Sequence, residues 1–334
     1  MAYLGVRATE AGLMASEPGV SLRERLARRL AGGSGPVAVL VHGYKFHPER
    51  RGLDPELSLF APTPRGEGGR VRSWPAGLGF ADDDGETGVA IGFGWPADAP
   101  LLLSLLGTGR NGFARVYAAA ADWAVQLAEL IRLVQELAPG RPVDVLAHSL
   151  GARVALGALP HLDEAPGRVI LLGAAEYEAE ALRCLAGVRG AREPQIYNIT
   201  TRANDAYDLA FECFAPRPAG AGRVLGSGLT GAPPGWFHLQ LDHPAVTEWI
   251  NAQGIALSQP EARVCHWSFY TRPGAFAVYG AILRRAPGWD VADLRRVRCL
   301  MAHEPRWSRL LPRRGRPDAT GNLGAGFGAG LGHA

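Results

Sequence analysis

The chain has 334 residues, 47% of them hydrophobic and 20% charged, with a formal net charge of +3. That balance excludes a chain disordered throughout, and the length accommodates either one large α/β domain or two ordinary ones. The basic excess is almost wholly arginine, because Lys45 is the only lysine, so a Schiff-base mechanism has a single candidate.

The opening MAYLGVRATEAGLMASEPGV lacks a basic start followed by an apolar core, so no secretory leader is expected. Nowhere do about 18 apolar residues run together, so no membrane span is expected, and the chain reads as cytoplasmic. In SLRERLARRLAG, Ser21 and Glu24 form a capping-box pattern worth about 1 kcal/mol, and Gly32 supplies a stop. Residues 1–35 therefore read as an N-terminal helical extension. VAVLVHG (37–43) is a β-branched apolar run between Gly-Pro and a His-Gly turn, the pattern of a strand buried on both faces. Residues 45–87, polar and rich in Gly, Pro and Arg, are too long for a plain connection and read as a covering excursion.

VAIGFGW (89–95) resumes strand character, and residues 113–140 repeat apolar positions at helical spacing up to Pro139-Gly140. VDVLAHS (143–149) is again a strand. A helix over 152–159, a strand over 168–173, a helix over 175–187 and a strand over 195–201 follow. This alternation predicts an α/β fold, a mostly parallel sheet with helices on both faces. After a Gly/Pro-rich loop (215–235), a helix is expected over 243–254, a last short strand over 261–266 and a helix over 274–286. The basic run 306–318 reads as a solvated tail rather than a nucleic-acid surface, and the Gly-rich end, 321–334, as disordered. The cysteines at 184, 213, 265 and 299 have neither C-x-x-C spacing nor companion histidines, so no disulfide framework, structural metal or cofactor is implied.

In AHSLG, Ser149 ends a predicted strand and precedes a predicted helix, with Ala147 two residues before it and Gly151 two after. A serine on such a sharp turn holds a strained backbone, and small neighbours are needed to avoid collision as the helix begins. An ordinary strand-to-helix turn is the plainer alternative. A nucleophilic serine needs a base, and the base needs an orienting acid, both from loops after later strands. Asp205, in TRANDAYD just past the strand 195–201, is the preferred acid; Asp208 is the alternative, and a plain helix cap is the competing role. His266, ending EARVCH, is the preferred base. His238, flanked by apolar residues, could line a pocket, and His243 before Pro244 fits a helix start. His148 is adjacent to the serine and suits a buried, hydrogen-bonded role. Backbone N–H groups of Leu150 and of Tyr44, after His42-Gly43, are the candidate oxyanion donors, with His42 bracing the loop. Lys45 could attract an anionic substrate group or simply face solvent.

With these residues in place the sequence resembles the α/β-hydrolase superfamily, in particular its esterase/lipase-like branch. The resemblance rests on VLVHGY (39–44), GFGWPAD (92–98) before a long helix, DVLAHSLGARV (144–154), NITTRANDAYD (198–208) and CHWSFYTRPG (265–274), in the chain order Ser, acid, His. It implies an α/β-hydrolase domain over 36–302, with a covering insertion near 45–87 and a basic, Gly-rich tail over 303–334. It further implies Ser149 as nucleophile, His266 as base, Asp205 as orienting acid, and Tyr44 and Leu150 as oxyanion donors. The expected activity is cleavage of small carboxylic esters through an acyl-enzyme, with PLLLSLL (100–106) as a candidate acyl-pocket lining. Thioester or amide hydrolysis, or acyl transfer, would use the same groups. The competing class is a non-catalytic binding protein on the same fold.

Overall fold

The computed structural model describes residues 2–63, 71–80, 87–99, 112–190 and 193–311. Among them, eight strands form one sheet: β1 (Tyr3–Thr9), β2 (Gly12–Ala15), β3 (Val37–Val41), β4 (Val89–Gly94), β5 (Val143–His148), β6 (Arg168–Leu172), β7 (Gln195–Thr200) and β8 (Trp236–Gln240). Their spatial order is β2-β1-β4-β3-β5-β6-β7-β8. Every neighbouring pair is parallel except the edge pair of β1 with β2. Crossovers between parallel strands put helices on both faces and bring the carboxyl ends of the strands to one edge, where ligands of open α/β sheets bind.

The alternation of side chains along a strand divides the core into two layers. In β3, Val37, Val39 and Val41 join one layer, while Ala38 and Leu40 join the other. The first layer is closed by α1 (Leu22–Leu30), α3 (Gly112–Leu137), α4 (Gly151–Ala158), α5 (Glu178–Ala186) and α6 (Asp205–Phe214). The second is closed by α2 (Trp74–Gly77), α7 (Pro244–Ala252), α8 (Ser268–Thr271), α9 (Ala275–Leu283) and α10 (Val291–Leu294). Because β3 and β5 are buried along their whole length, their apolar runs are continuous rather than alternating. At the far end of the sheet the one charge in β5, Asp144, is held by Arg285 at 2.8 and 2.9 Å and by the Arg168 N–H at 2.8 Å.

The helix opened by Ser21 is present, and Ser21 Oγ accepts the Glu24 N–H at 3.2 Å. Residues 1–35 are more than a helical extension, however. They also contribute β1 and β2, and β1 pairs in parallel with β4 from Tyr3 opposite Ala90 onward. YLGVRAT buries only alternate residues near its end, Val6 and Ala8, so its apolar signal is weak beside that of β3.

The last strand is WFHLQ (β8), not 261–266, where no strand forms. β8 pairs along its length with β7, from Ile196 opposite Trp236 to Thr200 opposite Gln240. Of 261–266, the first four residues are exposed, and the Cys265 N–H ties the stretch to Ala203 O at 2.8 Å. The described parts of 45–87 lay Leu59, Phe60, Trp74, Leu78 and Phe80 into the second core layer. Residues 100–106 and 321–334 lie outside the described residues, as does most of the basic run 306–318. No described helix is long and apolar enough to cross a membrane.

Candidate active site

Ser149 stands between the end of β5 and the start of α4 with φ at 55°. A left-handed backbone is costly for a residue with a Cβ, so it persists only where its surroundings enforce it. Here Ser149 N–H donates to Leu172 O at 2.9 Å, while Ser149 O accepts from Ala152 N at 3.0 Å and Ala175 N at 3.1 Å. Two glycines make room for the turn. A Cβ on Gly151 would lie 2.5 Å from His42 O, and one on Gly43 would lie 2.8 Å from Ser149 Cβ. Neither position accepts any other residue without moving backbone.

The turn after β3 is braced by His42. Its Nε2 accepts the Trp95 N–H at 3.0 Å, which leaves the proton on Nδ1, and Nδ1 donates to Gly43 O at 2.9 Å. Trp95 Nε1 donates to His42 O at 2.9 Å, and the two rings stack 5.7 Å apart. Burial lowers the His42 pKa to about 3, so the ring stays neutral and the tautomer is fixed. In a trans peptide the C=O and the following N–H point in opposite directions. Holding Gly43 O therefore aims the Tyr44 N–H away from His42. Among the described residues, neither the Tyr44 N–H nor the Leu150 N–H has an acceptor. The Tyr44 hydroxyl is anchored on Ala99 O at 2.6 Å, and Lys45, at φ 77°, is exposed.

His266 packs against His148, the residue before Ser149. Its ring centroid is 4.5 Å from that of His148, whose Nε2 is 3.3 Å from His266 O, and Tyr207 stacks on its other side at 4.6 Å and 20°. Burial lowers the His148 pKa to about 4, so His148 is a neutral brace for the His266 backbone. Burial, with a smaller push from His148, holds His266 well below the usual histidine range. No hydrogen bond joins Ser149 Oγ to another described residue; in unliganded sites such bonds are often long and close only with substrate present.

The partner on His266 Nδ1 is Asn204 Oδ1, at 2.7 Å. Asn204 Nδ2 in turn donates to Asp208 Oδ1 at 2.9 Å. Asp205 is turned elsewhere: Oδ2 accepts the Trp307 N–H at 2.6 Å and Oδ1 pairs with Arg202 Nη1 at 3.2 Å. Asp205 thus starts α6 and fastens the C-terminal segment, while Asn204 occupies the place expected of the acid. Helical phase explains the exchange. Asn204 and Asp208, four residues apart, share one face, and Asp205 is about 100° away from it. Asp208 is fully buried, and burial pushes its carboxyl up to about 7 against the attraction of Arg202.

His238 and His243 are not at this centre. His238 Nδ1 meets Asn198 Nδ2 and its Nε2 meets Thr200 Oγ1, both at 3.1 Å, on the first-layer side of β8. His243 precedes α7 as its cap residue. The sequence reading missed Asn204 and Tyr207; the i, i+4 spacing of Asn204 and Asp208 was the signal that could have found the first. Among the described residues no group of three or more His, Cys, Asp or Glu side chains is disposed to hold a metal ion.

Residues 76–202 match the model of a family described as "Alpha/beta hydrolase of unknown function (DUF900)". The matched stretch contains β4, the long helix α3, the Ser149 turn and β7. The match covers under half of the chain; together with the mostly parallel eight-stranded sheet it shows an α/β-hydrolase fold, and hydrolysis in general is the chemistry this supports. No curated protein matches the chain.

Proposed function

We propose that the chain is a serine hydrolase that cleaves small carboxylic esters through an acyl-enzyme. Ser149 Oγ attacks the carbonyl carbon, and His266 Nε2 takes its proton and later delivers it to the leaving alcohol. Asn204 orients His266 through Nδ1, and the N–H groups of Tyr44 and Leu150 receive the oxyanion. Water, activated by the same histidine, then releases the acid.

The observation that carries this reading is Ser149 at a left-handed φ beside two backbone N–H groups without described acceptors. A structural turn has no use for such strain or for donors left over. Burial holds His266 below the usual histidine range, so its ring is neutral and its lone pair is free to accept a proton. An asparagine can replace the orienting carboxylate, as cysteine proteases with a Cys-His-Asn arrangement illustrate. The four free cysteines suit a cytoplasmic enzyme.

The test is hydrolysis of p-nitrophenyl esters together with labelling by a fluorophosphonate. Turnover and labelling that are both lost in Ser149→Ala are expected. Folded wild-type protein that does neither would favour a non-catalytic binding role, and labelling that survives in Ser149→Ala would remove Ser149 as nucleophile.

A further inference from the structure

Asp208 is a buried carboxyl that the reaction above does not use directly. It sits one hydrogen bond behind Asn204, with Oδ1 at 2.9 Å from Asn204 Nδ2. Its other oxygen, Oδ2, is buried against Gly226, where a Cβ would lie 2.1 Å away, and has no hydrogen-bond partner among the described residues. The charged groups around it are Arg202 on the turn after β7, Asp205 and Glu212 on its own helix, and Arg306 on the C-terminal segment.

We propose that Asp208, acting through Asn204, sets the tautomer of His266, so that the base is competent only while Asp208 is a carboxylate. The coupling runs through donors and acceptors, and it rests on the Ser149 hydrolase reading. A carboxylate only accepts, so Asn204 must turn its NH₂ toward Asp208 and its carbonyl toward His266. A carbonyl only accepts, so His266 Nδ1 must carry the proton. Nε2 is then left with its lone pair free, as a general base requires.

Protonation reverses each step. The new proton on Asp208 finds no acceptor at Oδ2 among the described residues, and it gains a hydrogen bond only from Oδ1 to the Asn204 carbonyl, once that amide has turned over. The Asn204 NH₂ then faces His266 Nδ1, the imidazole proton moves to Nε2, and the base is blocked. No charge on His266 is needed for this loss. Burial, which places Asp208 near 7, puts the switch within the neutral range, whereas His266 itself titrates well below its ordinary 6.5. Asp208 is a positioning residue in this scheme.

The test is ¹⁵N NMR of histidine-labelled protein, with His266 assigned by its loss in His266→Gln, alongside the pH dependence of fluorophosphonate labelling. In the wild type, Nδ1–H is expected above pH 8 and a growing share of Nε2–H below pH 6, with the labelling rate falling in parallel. In Asp208→Asn the proton should favour Nε2 at every pH, because the flipped pair leaves a carbonyl rather than an NH₂ unpartnered against Gly226. Labelling at pH 8 should slow by at least about tenfold and lose its limb near pH 7. A His266 tautomer that is the same at pH 5.5 and 8.5 in the wild type would overturn the proposal, and that reading needs no variant. Wild-type protein that is never labelled but shows the tautomer switch would instead count against the hydrolase reading alone.

Discussion

The Ser149 half and the His266 half of the site are held together by different means. Around Ser149 the fixing contacts are backbone: a left-handed φ, glycines 43 and 151 pressed against carbonyls, and a His42 ring locked between Trp95 and Gly43. Around His266 they are side-chain hydrogen bonds in series, through Asn204 to Asp208, with aromatic rings packed on either side. Sterics over a few residues leave one arrangement. A series of hydrogen bonds can be rebuilt the other way round, so the second half responds to protonation where the first does not.

That contrast can be broken at several points. Ser149→Ala removes the reacting atom, and ester turnover should fall by on the order of 10⁴-fold or more with the fold retained. His42→Phe keeps the aromatic stacking on Trp95 but releases Gly43 O. If a pinned peptide is what aims the Tyr44 N–H, kcat should fall roughly 10²-fold with KM little changed. Unaltered kcat would mean the loop needs no brace. Gly151→Ala forces a Cβ toward His42 O, and denaturant unfolding should register a loss of about 1–3 kcal/mol.

The smallest effect is on stability and comes from the tunable half. Burial raises Asp208 from an ordinary 3.8 to about 7, so the folded protein holds a proton that the unfolded chain releases. Stability from this group is full below about pH 4 and is lost as pH rises through about 7. Asp208→Asn removes that loss. Its melting temperature should exceed the wild type's by a few degrees at pH 8, and the gain should vanish at pH 4. A lower melting temperature at pH 8 would mean that the charge is fully compensated by Arg202 and Asn204.

The same division explains what could be read from the sequence. β3, β5 and the Ser149 turn are local patterns: apolar runs buried on both faces and small residues flanking a strained serine, all within AHSLG and VAVLVHG. β1 and β8 were not legible, since YLGVRAT buries only alternate residues and WFHLQ follows a run of Gly and Pro that reads as loop. In NDAYD, three polar side chains within five residues compete for one histidine. Nearness to the strand end favoured Asp205, but the phase of α6 and the Trp307 backbone decide otherwise. Such a choice depends on contacts made about 60 and 100 residues away, which no local pattern records.

The central claim is that His266 is oriented by Asn204 and not by Asp205. Its most direct test is the rate of fluorophosphonate labelling, with p-nitrophenyl ester kcat, in Asn204→Leu and Asp205→Asn made side by side. Leu fills the space of Asn204 without an acceptor for Nδ1, so a loss on the order of 10³-fold is predicted, against less than about tenfold for Asp205→Asn, which still accepts the Trp307 N–H. The opposite ranking, with Asp205→Asn inactive and Asn204→Leu near wild type, would contradict it.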